Sequence, residues 1–482
     1  MMAISELRAA LNAEQRHGDA IFERVVIDSR AVQAGDLFVA LRGERHDGHA
    51  FVAQARAAGA VAALVADWVD LELPQLRVAD TLAGLQQLAR LWRARFSLPV
   101  VGVTGSNGKT TTKQMLAAIF AARGPVLATR GNLNNHIGVP LTLLSLRAAH
   151  RTAVVEMGAN HLGEIATLAA LARPDVGVVT QAGDAHLEGF GSRDGVAHGK
   201  GELFASLDGG VAVINADDAY ASLWRGLAAR AAVITFGIAA AADVCAQQIQ
   251  PEPLADAVGS RFVLRTPGGS ASVRLPMPGR HNVMNALAAA GCAVALGLEP
   301  ETIAAGLARV EGAQGRLSWQ RTAQGARLLD DSYNANPTSL HAALELLAGL
   351  PGTRWAVLGS MAELGADALR LHFEAGRKAR ALGIERLLAL GTLAAEAARG
   401  FGAGAETFDD AQALGDWLRP RLDADAVVLV KGSRSARMER VVEALMGPAL
   451  SPPSASADGS PRPPGGRGSG VAARQEGSGG SH

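Results

Sequence analysis

The sequence predicts an α/β protein of three domains, and three observations support this. Short β-branched runs alternate with alanine- and leucine-rich segments of helical period, which is the pattern of parallel α/β sheets. The 482 residues correspond to about three domains of roughly 150 residues each. Turn-rich joints near residue 83 and over 312–316 divide the chain. We therefore expect domains at residues 1–82, 83–313 and 314–447.

The predicted strands are short runs of Val, Ile, Leu and Ala that precede segments of helical period. The clearest are residues 100–103, 153–155, 176–180, 211–214, 355–358, 387–390 and 426–430. After residue 447 the composition changes to Ser, Pro, Gly and Arg, with almost nothing apolar to bury. Such a composition predicts a disordered tail over 448–482.

Charge and cysteine content narrow the class of protein. With 46 basic and 46 acidic residues, no net field attracts nucleic acid or anionic lipid, so any anion must be bound locally. Cys245 and Cys292 provide neither zinc spacing nor a disulfide framework, as is typical of a reducing compartment. Residues 1–22 lack the apolar core of a secretion signal, and the longest apolar run, 286–298, is too short to span a bilayer. We expect a cytoplasmic monomer that neither enters membranes nor binds nucleic acid.

Lysine is scarce, with five lysines beside 41 arginines. A GC-rich coding bias explains most of this imbalance. Arginine cannot replace lysine where a compact, deprotonatable amine is required, however, so each remaining lysine is a candidate for such a role. The five are Lys109, Lys113, Lys200, Lys378 and Lys431.

A glycine-containing loop follows the strand at 100–103 and leads into a helix. The apolar residues of that helix share one face, which we expect to be buried: Met115, Leu116, Ile119 and Phe120. This arrangement of strand, loop and helix directs backbone N–H groups and the positive end of the helix dipole at a phosphate. Lys109 would reach the terminal phosphates, and the hydroxyl of Thr110 or Thr111 would bind magnesium. The standard motif would require glycine at Val103, so an ordinary glycine-rich turn is the alternative, which the strand and helix context disfavours. The loop residues are Gly105, Ser106, Asn107 and Gly108.

The segment TGSNGKTTTK at 104–113 resembles the nucleotide loop of the Mur ligases, the ATP-dependent enzymes that extend the peptide of the bacterial cell-wall precursor. Eight segments carry the resemblance in order along the chain: VIDSRAVQAGDLFVALRGERHDGHAFV (26–52), GNLNNHIGVPLTLL (131–144), VVEMGANHLGEI (154–165), AHLEGFGS (185–192), HGKGELF (198–204), PGRHNVMNALAA (278–289), LLDDSYNANP (328–337) and LVKGSRSARME (429–439). GNLNN and DDSYNANP are most similar to the member that adds D-alanyl-D-alanine to UDP-N-acetylmuramoyl-tripeptide.

The resemblance implies an architecture and a reaction. It implies a central P-loop-type parallel-sheet domain, an N-terminal α/β domain that binds the UDP group, and a C-terminal Rossmann-like domain. The implied activity is an ATP-dependent amide ligase of peptidoglycan synthesis that forms an acyl-phosphate intermediate. Another Mur ligase, a folate-polyglutamate-synthase-like ligase and a non-catalytic nucleotide-binding scaffold are the alternatives.

The candidate metal ligands include a carboxylate, a histidine and a lysine. Glu156 follows an apolar run, so its carboxylate should emerge at the carboxyl end of a strand, where a hard oxygen suits magnesium. A capping or surface-paired glutamate is the alternative. The resemblance implies that Glu156 and His186 hold a second magnesium ion, and that CO₂ carbamylates Lys200 to give a further oxygen ligand. The alternatives are a structural histidine and a solvated lysine at the start of a helix.

The nucleotide's other contacts come from three segments. The resemblance implies that an asparagine of RHNVMN contacts adenine, with His281, Asn282 and Asn285 as the candidates; Asn282 is alternatively only a helix N-cap. It also implies that Arg316 binds the γ-phosphate and Asp331 the ribose, so that closure of the C-terminal domain completes the site. We expect three further residues to shape the loop of the DDSYNANP segment: Tyr333, Asn334 and Asn336.

The substrate candidates lie in three segments. At the UDP site of the N-terminal domain, the resemblance implies roles for Ser29, Arg30, Glu44 and Arg45. In the channel where the tripeptide carboxylate meets the γ-phosphate, we expect Asn134 and Asn135. A Lys, Arg and hydroxyl cluster after a strand is a candidate grip for the dipeptide carboxylate and comprises Lys431, Ser433 and Arg434. Arg30 and Arg45 are alternatively ordinary surface residues. Ser360 stands where the family pattern has aspartate, which puts a charge-dependent role there in doubt.

Overall fold

The computed structural model describes residues 1–44, 46–255, 257–312 and 314–447. Within these residues three large sheets follow one another along the chain, and parallel pairs predominate in each. The predicted α/β class is confirmed. Each predicted domain contains one large sheet, although the joint expected near residue 83 lies in the first turn of a helix, Thr81–Arg93. The predicted tail 448–482 and Arg45 lie outside the described residues.

The N-terminal part is a five-stranded sheet of order β2-β7-β6-β5-β4, with β2 antiparallel to β7 and the other pairs parallel. Strands β5 and β6 are wholly buried, as expected for apolar runs covered on both faces. A small antiparallel pair, β1 with β3, lies beside it. The elements are β1 Met2–Ala3, α1 Ile4–Ala10, β2 Glu14–Arg16, β3 Ile21–Phe22, β4 Arg24–Val26, β5 Asp36–Val39, α2 Val52–Ala57, β6 Ala62–Val65, β7 Gln75–Arg77 and α3 Thr81–Arg93.

The central part is a nine-stranded sheet of order β16-β15-β14-β13-β12-β11-β8-β10-β9. Its strands pair in parallel from β9 to β14, and β14, β15 and β16 form an antiparallel extension. The elements are β8 Val100–Thr104, α4 Lys109–Phe120, β9 Val126–Ala128, α5 Gly138–Leu144, β10 Thr152–Glu156, α6 Glu164–Ala172, β11 Val176–Val179, α7 Leu187–Phe190, α8 Arg193–Ala205, β12 Val211–Asn215, α9 Ala221–Leu227, β13 Ala232–Gly237, β14 Val244–Pro253, β15 Val258–Thr266, β16 Gly269–Leu275, α10 Arg280–Ala295 and α11 Pro300–Leu307.

The C-terminal part is a six-stranded sheet of order β17-β18-β22-β19-β20-β21, in which only β17 pairs antiparallel. The elements are β17 Ser318–Arg321, β18 Arg327–Asp331, α12 Pro337–Ala348, β19 Thr353–Gly359, α13 Ala368–Ala381, β20 Arg386–Leu390, α14 Ala395–Phe401, β21 Ala405–Phe408, α15 Ala411–Leu418, β22 Ala426–Lys431 and α16 Glu439–Met446. All seven strands predicted from apolar runs are present, with ends within two residues of those expected.

The apolar faces of the helices close the core over the sheets. The predicted buried face of α4 is confirmed, since Met115, Leu116, Ile119 and Phe120 have no exposed surface. The N-cap of α3 is Asp80, whose carboxylate accepts hydrogen bonds from the backbone N–H groups of Leu82 and Ala83. In the described part of the chain, no helix combines the length and apolar character required to cross a membrane.

The strand order brings three carboxyl ends together at the centre of the middle sheet. Strand β8 lies between β10 and β11, and Glu156 is level with Val103, as Val179 is with Thr104. The loops that follow these strands therefore leave the sheet side by side, where parallel sheets bind ligands.

Candidate active site

The phosphate loop connects β8 to α4 and requires two of its glycines. Gly105 has φ +141° and faces Thr180, and Gly108 has φ +82° and faces the carboxamide of Asn285. A Cβ at either position would collide with the facing side chain. Lys109 begins α4 and folds back over the loop, where its Nζ donates to the carbonyls of Gly105 (2.6 Å) and Ser106 (3.4 Å). The loop is thus preformed, with its lysine above the backbone that would hold phosphate.

Glu156 ends β10 beside this loop, as predicted, and is 2% exposed. Its Oε1 accepts hydrogen bonds from the Thr110 hydroxyl (3.2 Å) and the Asn134 Nδ2 (2.8 Å). Its Oε2 forms an ion pair with Lys113 Nζ at 3.0 Å, and Lys113 is only 5% exposed. Glu156 is therefore not a capping or surface glutamate.

The charges around Glu156 set its protonation. Burial acts to raise the pKa of Glu156, but Lys113, Lys109 and the Asn134 hydrogen bond outweigh it and hold the pKa below its usual value. Burial lowers the pKa of Lys109; Glu156 opposes this shift and the charge of Arg316, from the C-terminal part, adds to it. The carboxylate is ionised at neutral pH and available as a hard oxygen ligand.

Lys200 lies within α8, not at its start, and is 1% exposed, so it is not a solvated lysine at a helix end. Its Nζ donates to the carbonyl of Ala159 at 2.9 Å and lies 4.9 Å from the ring centroid of Phe190. Burial, assisted by the charge of Lys109, lowers the pKa of Lys200 to about 7. Near pH 7 about half of this amine is therefore neutral.

His186 precedes the short helix α7 in a left-handed conformation, with φ +55°. Its Nδ1 contacts the carboxylate of Glu363 from the C-terminal part. The hydrogen bond from His186 is the main cause that holds the pKa of Glu363 below its usual value. His186 thus links the loop after β11 to the segment after β19.

The proposed adenine-side residues lie at the start of α10, next to the phosphate loop. The N-cap is Gly279, so Asn282 is not the N-cap; its Nδ2 donates to the Pro278 carbonyl at 2.8 Å. Asn285 Nδ2 donates to Asn282 Oδ1 at 3.3 Å. Burial lowers the pKa of His281 to about 4, so the imidazole is neutral at pH 7.

Arg316 and Asp331 of the C-terminal part lie near each other, since the charge of Arg316 acts on the Asp331 carboxyl. The guanidinium carbon of Arg316 lies 4.2 Å from the centroid of the Tyr333 ring. Asp331 ends β18 and forms a 2.5 Å ion pair with Lys431, which also donates to the Asn334 carbonyl at 2.9 Å. Burial is the largest influence on Asp331 and raises its pKa, with Lys431 and Arg316 opposing.

The residues proposed to grip the dipeptide have different environments. Lys431 is buried with Asp331, and Ser433 is buried with its hydroxyl 3.0 Å from that of Ser435. Arg434 is exposed, and its Nη1 lies 3.2 Å from Glu439 Oε1. Of the three predicted side chains, only Arg434 is open to solvent, so their common anion site stays a prediction.

The substrate candidates of the N-terminal part, and Asn135 of the central part, contact mainly their own neighbours. The Ser29 hydroxyl donates to Gln54 Oε1 at 3.0 Å, and exposed Arg30 forms a two-point ion pair with Asp28. Asn135 Oδ1 accepts from the backbone N–H groups of Ile137 and Gly138. Glu44 is exposed.

The donor set fits the implied metal in part. Glu156 and Thr110 offer adjacent oxygens beside the phosphate loop, which suits one magnesium ion held together with phosphate oxygens. Among the described residues no three His, Cys, Asp or Glu side chains gather as a metal site. A second ion held by Glu156, His186 and carbamylated Lys200 stays a prediction.

Sequence reasoning missed two charged residues of this site. Lys113 was given no role in the site, although it follows Lys109 by four positions, about one helical turn. The scarcity of lysine in the chain was the signal that could have indicated it. Glu363 comes from a distant part of the chain, and no local pattern indicates its contact with His186.

Comparisons with known proteins match the chain to one family. Family models match three stretches: the Mur ligase family catalytic domain at 22–92, the Mur ligase middle domain at 103–293, and the Mur ligase glutamate ligase domain at 315–434. The UDP-N-acetylmuramoyl-tripeptide–D-alanyl-D-alanine ligase of Escherichia coli is 45% identical over 448 residues, which cover 92% of this chain and 98% of that protein.

Solved structures give the same result. A crystal structure of MurF from Acinetobacter baumannii superimposes with a TM-score of 0.85 at 38% identity, covering 92% of this chain and 98% of that one. MurF ligase from Thermotoga maritima in complex with ADP has a TM-score of 0.78 at 29% identity, covering 88% and 97%.

Proposed function

This chain belongs to the Mur ligase family, and we propose that it joins D-alanyl-D-alanine to UDP-N-acetylmuramoyl-tripeptide with conversion of ATP to ADP and phosphate. The observation that carries the proposal is the position of Asn134. This residue belongs to the GNLNN segment, and its amide is bonded to Glu156 beside the phosphate loop. The segment that indicated this substrate pair thus contacts Glu156, which supports the proposal that Asn134 lies next to the reacting carboxylate.

The proposed reaction has two steps. An oxygen of the tripeptide carboxylate attacks the γ-phosphorus of ATP, and ADP leaves. The neutral amine of D-alanyl-D-alanine then attacks the carbonyl carbon of the acyl phosphate, phosphate leaves, and the amine loses a proton. An α-amine with a pKa of about 7.7–8.0 is partly neutral at pH 7–8, so the second step requires no strong base.

The residues of the site offset the repulsion between carboxylate and γ-phosphate. Lys109 from the central part and Arg316 from the C-terminal part would place positive charge at the phosphates. Glu156 and Thr110 would hold one magnesium ion, and Glu156, His186 and carbamylated Lys200 a second. Magnesium, when bound, supplies further positive charge to the phosphate oxygens. His281, Asn282, Asn285 and Asp331 are proposed to orient the nucleoside.

Carbamylation of Lys200 requires a neutral amine, and its environment supplies one. A carbamate would convert a buried cation into an anion that carries oxygen ligands, which an arginine at this position would not do. A pKa of about 7 makes the amine reactive near neutral pH. The cytoplasmic location and the monomeric state stay predictions.

Phosphate release from ATP tests the function. Purified protein is assayed with UDP-N-acetylmuramoyl-tripeptide and D-alanyl-D-alanine, singly and together. We expect sustained release only when both are present. Release with neither or only one would contradict the assignment, and activity with a folate and glutamate would support the folate-type ligase instead. No release with either pair, despite nucleotide binding, would favour a non-catalytic scaffold.

A further inference from the structure

Two asparagines form a reciprocal amide pair between the central and C-terminal parts of the chain. Asn336 Nδ2 donates to Asn107 Oδ1 at 2.8 Å, and Asn107 Nδ2 donates to Asn336 Oδ1 at 3.3 Å. The two residues are 229 positions apart. Each side chain uses both a donor and an acceptor on the other, so the contact is specific in orientation.

Each asparagine is anchored at a position that matters for catalysis. Asn107 lies in the phosphate loop, and its carbonyl accepts a 2.5 Å hydrogen bond from the Thr180 hydroxyl. Asn336 is buried and is the N-cap of α12, where its Oδ1 also accepts from the Ser339 backbone N–H at 2.9 Å. The pair therefore joins the loop that would hold ATP to the start of a C-terminal helix.

A second contact lies beside the pair. The Thr338 hydroxyl accepts from the Asp184 N–H at 3.4 Å, and the neighbouring Gly183 exchanges hydrogen bonds with the Ser106 hydroxyl. A Cβ at Gly183 would lie 3.0 Å from the Thr338 hydroxyl, so the two parts approach closely here. The first turn of α12 thus contacts the surroundings of the phosphate loop at two points.

The pair is suited to fix Arg316. Asn336 lies in the same β18–α12 loop as Asp331 and Tyr333, and Arg316 stacks on Tyr333. A shift of this loop would move the arginine relative to the phosphates. Because the pair is neutral, we expect its hydrogen bonds to shift the equilibrium between open and closed domain arrangements about tenfold toward the closed one. A shift of this size still allows the domains to open.

We propose that Asn107 and Asn336 are positioning residues that hold the C-terminal domain closed over the phosphate loop while Arg316 acts on the γ-phosphate. This inference rests on the proposed ligase function. It assigns to the pair a role in domain closure in addition to any contact with the nucleotide.

A double-mutant cycle tests the coupling. Asn336→Ser keeps a good N-cap but is too short to bond Asn107, and Asn107→Ala removes the other half. We expect each single variant to lower kcat about tenfold, and Asn336→Ser to change the affinity for ADP, measured by calorimetry, by less than about twofold. The double variant should be no slower than the slower single variant. Effects that multiply would overturn the proposal.

Ser339→Ala is the matched control, because it removes the other side chain of the α12 capping box and leaves the pair intact. Its effect on kcat should multiply with the effect of Asn107→Ala on kcat, as expected for residues that do not interact. Small-angle scattering of ADP-saturated protein gives a readout independent of turnover: Asn336→Ser should increase the radius of gyration, and an unchanged radius would overturn the inference. Failure of wild-type protein to release phosphate would instead count against the proposed function, leaving the scattering result to test closure.

Discussion

Replacing Lys200 by arginine should abolish activity because it removes the neutral amine. With a pKa of about 7 instead of the ordinary 10.5, the neutral fraction at pH 7 rises from about 0.03% to about 50%, an increase on the order of a thousandfold. Raising the pH from 6 to 8 carries the neutral fraction from about one tenth to about nine tenths. Carbamate formation should rise over the same interval, because only the neutral amine reacts with CO₂.

The assay combines nuclear magnetic resonance with kinetics. Wild-type protein equilibrated with ¹³C-bicarbonate should show a carbamate carbon signal that grows from pH 6 to 8 and is absent in Lys200→Arg and Lys200→Met. Both variants should lose at least about a hundredfold in kcat, the scale of removing a preorganised electrostatic contact. Lys200→Met tests whether loss of packing rather than chemistry is responsible, since its apolar chain can remain against Phe190. Normal turnover in a well-folded Lys200→Arg protein would refute the reasoning.

Three further predictions follow from buried charges and from the phosphate loop. Glu156→Gln should abolish ligation and lower the free energy of unfolding, measured by urea denaturation, by about 3–5 kcal/mol because Lys113 is left buried without its ion-pair partner; unchanged stability would contradict the buried pair. Asp331→Asn should lower the free energy of unfolding by about 3–5 kcal/mol, because Lys431 loses its ion-pair partner, and should weaken ATP binding in calorimetry. Wild-type values for both quantities would argue against Asp331 as the partner of Lys431 and as a nucleotide-binding residue. Gly108→Ala, which forces a Cβ into the left-handed region and against a neighbouring carboxamide, should weaken ATP binding at least about tenfold, roughly the effect of 1.4 kcal/mol; undiminished affinity would exclude a close phosphate contact.

The sequence was sufficient for the elements that depend on local pattern. Apolar runs marked the strands within two residues, because both faces of a parallel sheet are covered. The same logic placed Glu156 at a strand end beside the phosphate loop. The buried face of α4 followed from helical spacing alone.

Features that depend on tertiary packing were not accessible in this way. Lys200 was expected at a helix start, but the helix begins seven residues earlier, at Arg193, because Ser192 caps it. The ion pair of Lys431 with Asp331 was not predicted, because it depends on β18 and β22 being adjacent strands in register. The contacts of His186 with Glu363 and of Asn107 with Asn336 join the central and C-terminal parts. Residues so far apart in the chain share no periodic pattern that could have indicated these contacts.

The most direct test of the proposed ligase is identification of the product. UDP-N-acetylmuramoyl-tripeptide, D-alanyl-D-alanine, ATP and magnesium are incubated with the purified protein, and the mixture is analysed by liquid chromatography and mass spectrometry. We predict a new species whose mass equals the nucleotide tripeptide plus the dipeptide minus one water, formed in step with ADP. ADP formation without that species, or an amide product with a different acceptor in preference to D-alanyl-D-alanine, would contradict the account.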